Sequence, residues 1–129
     1  MTSDVNLLIH CAGGEVQQVV SDLLGSCRLS VRICSLPGPL DLPKRYAGTL
    51  ILTRIEATSP YQQLELYDWI TEVHRSARVV SVATQPIDRM VQQGRFLEGL
   101  FYRLNVVQVD MRSARSMGHR ALYGASCQA

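Results

Sequence analysis

The chain carries one lysine, Lys44, and its thirteen basic residues against eleven acidic ones leave a net charge of only +2. So small a balance gives no bulk electrostatic footprint for nucleic acid, and no direct contact with DNA is expected. No apolar run approaches the ~20 residues of a membrane span, and no charged, apolar and small-residue succession opens the chain as a secretory signal would. The expected location is therefore the cytoplasm, without a membrane partner. The four cysteines, at 11, 27, 34 and 127, form no C-x-x-C pair, and His10, His74 and His119 do not fall at metal-ligand spacing. No metal site is expected. The thiols read as reduced side chains partly buried as small hydrophobes.

What remains is an ordinary globular balance. Hydrophobic residues make up 47% and charged residues 19% of 129 positions, which argues against disorder and for one domain. A chain of this length buries roughly two thirds of its surface on folding, enough for a single core.

The apolar pattern alternates between strand-like and helix-like stretches. Val5 to Ile9 has the length of a buried strand. After Ala12-Gly13-Gly14, the residues Val16, Val19, Val20, Leu23 and Leu24 form one helical stripe, which Gly25 is placed to stop. Leu29–Cys34 alternates as a second strand, and Pro37, Gly38, Pro39 and Pro43 exclude regular structure beyond it. Gly48–Ile55 is the third strand. Ser59-Pro60 starts a helix whose stripe is Leu66, Trp69, Ile70 and Val73. Arg78–Thr84 is a fourth strand, Pro86 begins a short helix to Met90 or Val91, a further helix runs from about Phe96 to Leu104, and Val106–Val109 is a fifth strand. Strands alternating with helices at this spacing predict a parallel sheet covered on both faces, a three-layer α/β/α domain. The domain is expected to span 1–110. The stretch 111–129 then reads as a basic tail or single helix, with Arg112, Arg115, His119 and Arg120 and no acid.

The most specific string is Gly94-Arg95-Phe96-Leu97-Glu98-Gly99-Leu100-Phe101-Tyr102-Arg103-Leu104-Asn105-Val106. It resembles the G-[KR]-F-R-x-D-L-Y-Y-R-L-N-V segment of sigma-54-dependent transcription activators, whose central domain is an AAA+ ATPase. Gly48–Leu52 is similar to the G-T-L-F-L of that family's Walker B strand. Gln63–Tyr67 is similar to its Q-x-x-L-L helix, and Arg78–Thr84 to its R-[VI]-I-A-A-T sensor strand. The resemblance spans roughly 5–109 and implies a P-loop NTPase sheet of order 5-1-4-3-2.

Against the family pattern, the chemical groups are missing. The phosphate-cradling G-E-S-G-T-G-K-E falls on His10-Cys11-Ala12-Gly13-Gly14-Glu15-Val16-Gln17. Gly13 and Gly14 thus mark a vestigial P-loop turn, the only cofactor-binding feature left. Val16 stands where the family has Lys, removing a cation worth ~1.5–3 kcal/mol in a charge-assisted contact. Glu15 points negative charge toward a negative ligand. Thr53 and Arg54 replace the Walker B carboxylates that hold magnesium and orient water. Gln85 replaces the sensor Asn. Of the two arginines that serve a neighbouring subunit's nucleotide, one is Leu97. The other, Arg103, is assigned a structural ion pair ahead of a catalytic finger. Only Ser35–Ala47 fills the place of the GAFTGA loop that touches sigma-54, so that contact is not expected. Nineteen residues follow Asp110, too few for the family's helical lid.

The resemblance therefore implies a non-catalytic AAA+-like regulatory protein, with no cofactor and no catalytic residue. It would act through contacts with itself or with a paralogous activator, and Phe96, Tyr102 and Arg103 are the expected interface residues. The alternative is an ATP-binding sigma-54 interaction domain acting as a nucleotide switch or weak ATPase in transcription regulation. A receiver-like signalling domain is a third possibility; Asp4 begins a strand instead of ending one, and Thr53 stands where an acceptor Asp would be sought. Arg54 with Glu56, and Arg75 and Arg78 with Glu72, read as solvated surface charges. Tyr67 and Trp69 read as packing residues.

Overall fold

A computed structural model of the chain describes residues 5–26, 30–44, 46–73 and 77–111. Five strands alternate with helices: β1 (Leu7–His10), α1 (Val16–Ser26), β2 (Val31–Ser35), β3 (Gly48–Thr53), α2 (Pro60–Val73), β4 (Ala77–Ala83), α3 (Ile87–Gln92), α4 (Glu98–Leu104) and β5 (Val107–Asp110). All pair in parallel, in the order β2-β3-β4-β1-β5, which is the expected 5-1-4-3-2 read from the other edge.

Crossover handedness explains the layers. From β1 the chain crosses toward β2, whereas β3 to β4 and β4 to β5 move the opposite way along the sheet. Right-handed connections then place α1 on one face and α2, α3 and α4 on the other. Two cores result. Leu7, Ile9, Ile51, Val80 and Val82 pack under Val16, Val19, Val20 and Leu23 of α1. Leu8, Leu50, Leu52, Val79 and Ala83 face Leu66, Trp69, Ile70, Ile87, Leu100 and Leu104. Successive residues of β1, β3 and β4 serve opposite cores, so these strands are buried on both sides and carry near-continuous apolar runs.

Several boundaries depart from the sequence expectation for local reasons. Gly25 lies inside α1, which continues to Ser26, and Leu24 is 44% exposed at the margin of the stripe. Strand β3 ends at Thr53 because Arg54 takes a left-handed conformation (φ 56°, ψ 53°) that turns the chain into a 3-10 turn at Ile55–Ala57. Helix α2 starts where Ser59-Pro60 predicts. The Gln62 N–H donates to Ser59 Oγ at 3.1 Å, and the Ser59 N–H donates to Gln62 Oε1 at 3.0 Å, a complete capping box. Helix α4 begins at Glu98, with Phe96 and Leu97 in the connection before it. Arg78 is no solvated charge. It is 6% exposed, and its Nε donates to the Val5 carbonyl at 2.9 Å. Met111, assigned from sequence to the tail, is 1% exposed within the α1-side core. Cys27, His74, Arg75, Cys127 and the stretch 112–129 lie outside the described residues.

The two sheet edges differ. Along β2, Arg32 pairs with Asp41 at 2.6 Å, and Leu40 and Leu42 of the Pro-rich loop pack against the core, so the loop shields that edge. Along β5, Val107 is 45% exposed.

Candidate functional site

Strands β1 and β4 are neighbours whose following helices leave toward opposite faces. Their carboxyl ends therefore flank a crevice at the topological switch point, where ligands lie in open α/β sheets. The Cys11 N–H donates to the Ala83 carbonyl at 3.0 Å and ties the two strand ends together. A cavity of about 160 Å³ opens here, walled by His10 at the end of β1 and Cys11 after it, Thr84, Gln85 and Asp88 after β4, and Gln108 and Asp110 of β5. Gln108 Nε2 and His10 Nδ1 approach to 3.3 Å.

Gly13 and Gly14 follow Cys11 closely in the chain but do not line this cavity and form no phosphate cradle. With Glu15 they make a 3-10 turn that runs directly into α1. The Glu15 N–H donates to the Ala12 carbonyl at 2.9 Å, and Glu15 Oε1 accepts the Ala12 N–H at 3.1 Å. A P-loop needs such N–H groups turned toward the ligand; here the turn is bonded to itself. Among the described residues only Arg54 and Gly94 have positive φ, so neither glycine of the turn uses its conformational freedom. Val16, at the position of the family's lysine, is 5% exposed and anchors the first turn of α1 in the core.

The Walker B position is rebuilt by the Arg54 turn. Arg54 sends its guanidinium toward the Gly13 turn: a Cβ placed on Gly13 would sit 3.9 Å from an Arg54 guanidinium nitrogen. The same turn brings Glu56 back to the crevice. Its carboxylate accepts the Thr84 N–H at 3.1 Å through one oxygen and the Thr84 hydroxyl through the other. A carboxylate is thus present at the end of β3, two residues later than the family pattern, with both oxygens committed to the end of β4. Burial pushes the Cys11 thiol up, the Glu56 charge adds to that rise, and Arg54 opposes it. Arg54 and Glu56 act on different partners and form no surface pair.

A wider groove of about 670 Å³ lies between the start of α2 and the stretch 94–98. Gln63, 4% exposed, holds its wall together. Its Nε2 donates to the carbonyls of Thr58 (3.3 Å) and Arg95 (3.2 Å), and its Oε1 accepts the Leu97 N–H at 2.8 Å. Sequence reasoning found the string containing Gln63 but gave the residue no role. A glutamine on the buried side of an otherwise apolar stripe was the available signal, because such a side chain needs several partners.

The expected interface residues separate. Phe96 is 4% exposed and belongs to the core, so its ring is not at the surface. Tyr102 is 65% exposed. Arg103 lies over the Tyr67 ring at 5.9 Å, a cation–π contact where an ion pair was expected. Tyr67 itself packs beside Gly99, where an added Cβ would meet its ring at 3.1 Å, and Trp69 donates to the Pro43 carbonyl at 2.6 Å. Both aromatics are packing residues.

A five-stranded parallel sheet of this order, with its crevice at the β1–β4 switch point, defines a P-loop NTPase-type α/β domain of the AAA+ kind. The sequence model of the sigma-54 interaction domain matches residues 7–113, and the chain belongs to that family. It is 32% identical over 79 residues to the HTH-type transcriptional regulatory protein TyrR of Enterobacter agglomerans, covering 53% of this chain and 15% of that protein. It is 33% identical over 79 residues to the transcriptional regulatory protein ZraR of Salmonella typhimurium, covering 53% of this chain and 18% of that protein. The chain thus spans less than a fifth of the length of these curated relatives. Among solved structures, NtrX from Brucella abortus in complex with ATP superposes with a TM-score of 0.65 at 16% identity, over 83% of this chain and 31% of that one. The P-loop NTPase domain of the sigma-54 transport activator from E. coli gives a TM-score of 0.56 at 15% identity, over 83% and 82% of the two chains. Among the described residues, no helix is long and apolar enough to cross a membrane.

Proposed function

We propose that this chain is a non-catalytic member of the sigma-54 interaction domain family, which regulates transcription through protein contacts. Its partner on this reading is a second copy of itself or an intact AAA+ activator, in the cytoplasm, with no nucleotide as cofactor and no direct contact with DNA. The observation that carries the reading is the self-bonded turn at 12–15. Glu15 takes the Ala12 N–H, and a core valine replaces the one side chain that would reach a phosphate. Placing a triphosphate there would require breaking the Glu15 contact and bringing the phosphates beside a carboxylate. At ~4 Å such a like-charge contact costs about 1 kcal/mol per charge pair in water and several times more at a partly buried site. The Glu56 carboxylate supports the same reading, since both oxygens already accept from Thr84. What is retained is scaffold, and a scaffold can outlive its chemistry.

Two measurements test this. Calorimetric titration with Mg-ATP should give a Kd weaker than about 1 mM, corresponding to less than ~4 kcal/mol of binding free energy. Submicromolar binding, or phosphate release by the purified protein, would establish the nucleotide-switch reading instead. Size-exclusion and pull-down against an intact sigma-54 activator should show association. A strict monomer that captures no activator would overturn the contact reading.

A further inference from the structure

At the β2 edge of the sheet, the Pro-rich loop packs Leu40 and Leu42 against the core and sets Asp41 on Arg32. The β5 edge has no such cover: the sheet order ends there, and among the described residues no strand pairs with its outer side. The Val107 N–H donates to the Asn6 carbonyl at 3.2 Å, which turns the Val107 backbone inward to β1. Backbone groups alternate in direction along a strand, so the N–H and the carbonyl of Gln108 both face outward. Side chains alternate between the faces as well. Val107 and Val109 stand beside Leu7 and Ile9, and Val109 packs against the α1-side core. Gln108 meets His10 on the opposite face. Val106 and Val107 are 59% and 45% exposed. The stretch 106–109 contains neither a charged residue nor a proline, two devices that ordinarily blunt an open edge.

We propose that β5 pairs antiparallel with the β5 of a second copy, about a two-fold axis through Gln108, joining the two five-stranded sheets into one. Val107-Gln108-Val109 reads the same in both directions, so an antiparallel copy opposes like chemistry with like. Gln108 exchanges both of its outward backbone hydrogen bonds with its twin, their Cα atoms ~5.5 Å apart. Val107 of each copy lies opposite Val109 of the other, and the four valines close over the axis on the α1 face. The two glutamine side chains meet on the other face, and no like charges are opposed within the valine–glutamine–valine pairing. This pairing rests on the contact reading above and names its surface for a second copy. Four-residue strands make a small interface, so the dimer is a weak one.

The test is analytical ultracentrifugation of the full chain from roughly 10 µM to 1 mM, the range of weak association. A monomer–dimer equilibrium is expected. Gln108→Pro removes the outward N–H and should weaken the dimer by about tenfold or more. Edge strands tolerate proline where the N–H faces solvent, and circular dichroism reports whether the variant is folded. Gln108→Ala keeps the backbone groups and should stay within about threefold of the parent chain. Val107→Lys, at an exposed position, brings two cations to the axis and should weaken the dimer as Gln108→Pro does. Gln108→Cys should oxidise to a dimer linked 108 to 108, because ~5.5 Å lies within disulfide reach. Ile33→Cys on β2 should give no such link, and peptide mass spectrometry separates both from the native cysteines. A monomer throughout the range would overturn the proposal. So would a dimer unmoved by Gln108→Pro and Val107→Lys, or one weakened equally by Gln108→Ala and Gln108→Pro. In these last two cases the chain still associates with itself and the contact reading stands, as it does when a monomer captures an intact activator. A monomer that captures none removes both.

Discussion

Glu56 accepts both the backbone N–H and the hydroxyl of Thr84, joining the turn after β3 to the end of β4 across the mouth of the crevice. This bond depends on Arg54, whose left-handed backbone reverses the chain so that the residue two positions on faces the sheet edge. One clamp thus stands where the family pattern places metal-holding and water-orienting carboxylates.

Removing the clamp should loosen the crevice. Glu56→Ala takes away two hydrogen bonds to a charged group, each contributing ~1.5–3 kcal/mol at most, and solvent access to the half-buried carboxylate reduces that. A loss of about 1.5–3 kcal/mol is expected in urea denaturation, with Glu56→Gln losing less because it keeps one acceptor. A change below measurement error would show that the clamp does not stabilise the fold.

Gln63→Leu should cost about 2–4 kcal/mol, because the Leu97 N–H and the carbonyls of Thr58 and Arg95 lose a buried partner and apolar bulk replaces none of them. Hydrogen exchange localises the effect. The Leu97 amide should lose protection before the strands do, and uniform loss across the sheet would contradict the assigned role.

Restoring the family's lysine should not restore its chemistry. Val16 packs under the sheet, so Val16→Lys places a charge in the α1-side core and should destabilise by on the order of 3 kcal/mol without conferring ATP binding. A stable Val16→Lys protein that binds Mg-ATP would mean that the turn can open into a cradle.

The Cys11 thiol is held up by burial first and by Glu56 second, with Arg54 opposing. Its alkylation by iodoacetamide should be slow near neutral pH and should accelerate only at alkaline pH. Glu56→Gln should speed it and Arg54→Ala should slow it. The linkage follows the same sign. The unfolded chain ionises this thiol at lower pH than the folded one, so the Cys11 contribution is intact in neutral solution and declines as alkaline pH passes the folded value. Mass spectrometry of alkylated Cys11 across pH reads the order directly. Faster labelling in Arg54→Ala would refute the placement of that guanidinium.

Arg103→Ala should cost only about 0.5–1 kcal/mol, since it removes an exposed cation–π contact with Tyr67. A larger thermal shift would point to an ion pair, as the sequence suggested.

Element order and strand identity were legible in the chain because apolar period and turn residues are local. Strand β4 was legible in this way, its run from Ala77 to Ala83 being buried along its whole length. The matched strings carried the strand order, which no periodicity contains. Legibility failed where a residue's role depends on a partner distant in sequence. Arg78 looked like surface charge, yet it bonds Val5 seventy-three positions away. Phe96 looked like an interface ring, yet the packing of α2 against α4 encloses it.

The sequence alone determined that Val16 occupies the lysine position and that Thr53 and Arg54 replace two carboxylates, because residue identity is a covalent fact. Tertiary structure decided what those replacements do. Only the folded chain turns Glu15 back onto Ala12, brings Glu56 to Thr84 and gathers Asp88 and Asp110 around one small cavity. Side chains from separate strands acquire a common electrostatic environment only when the sheet sets their distances.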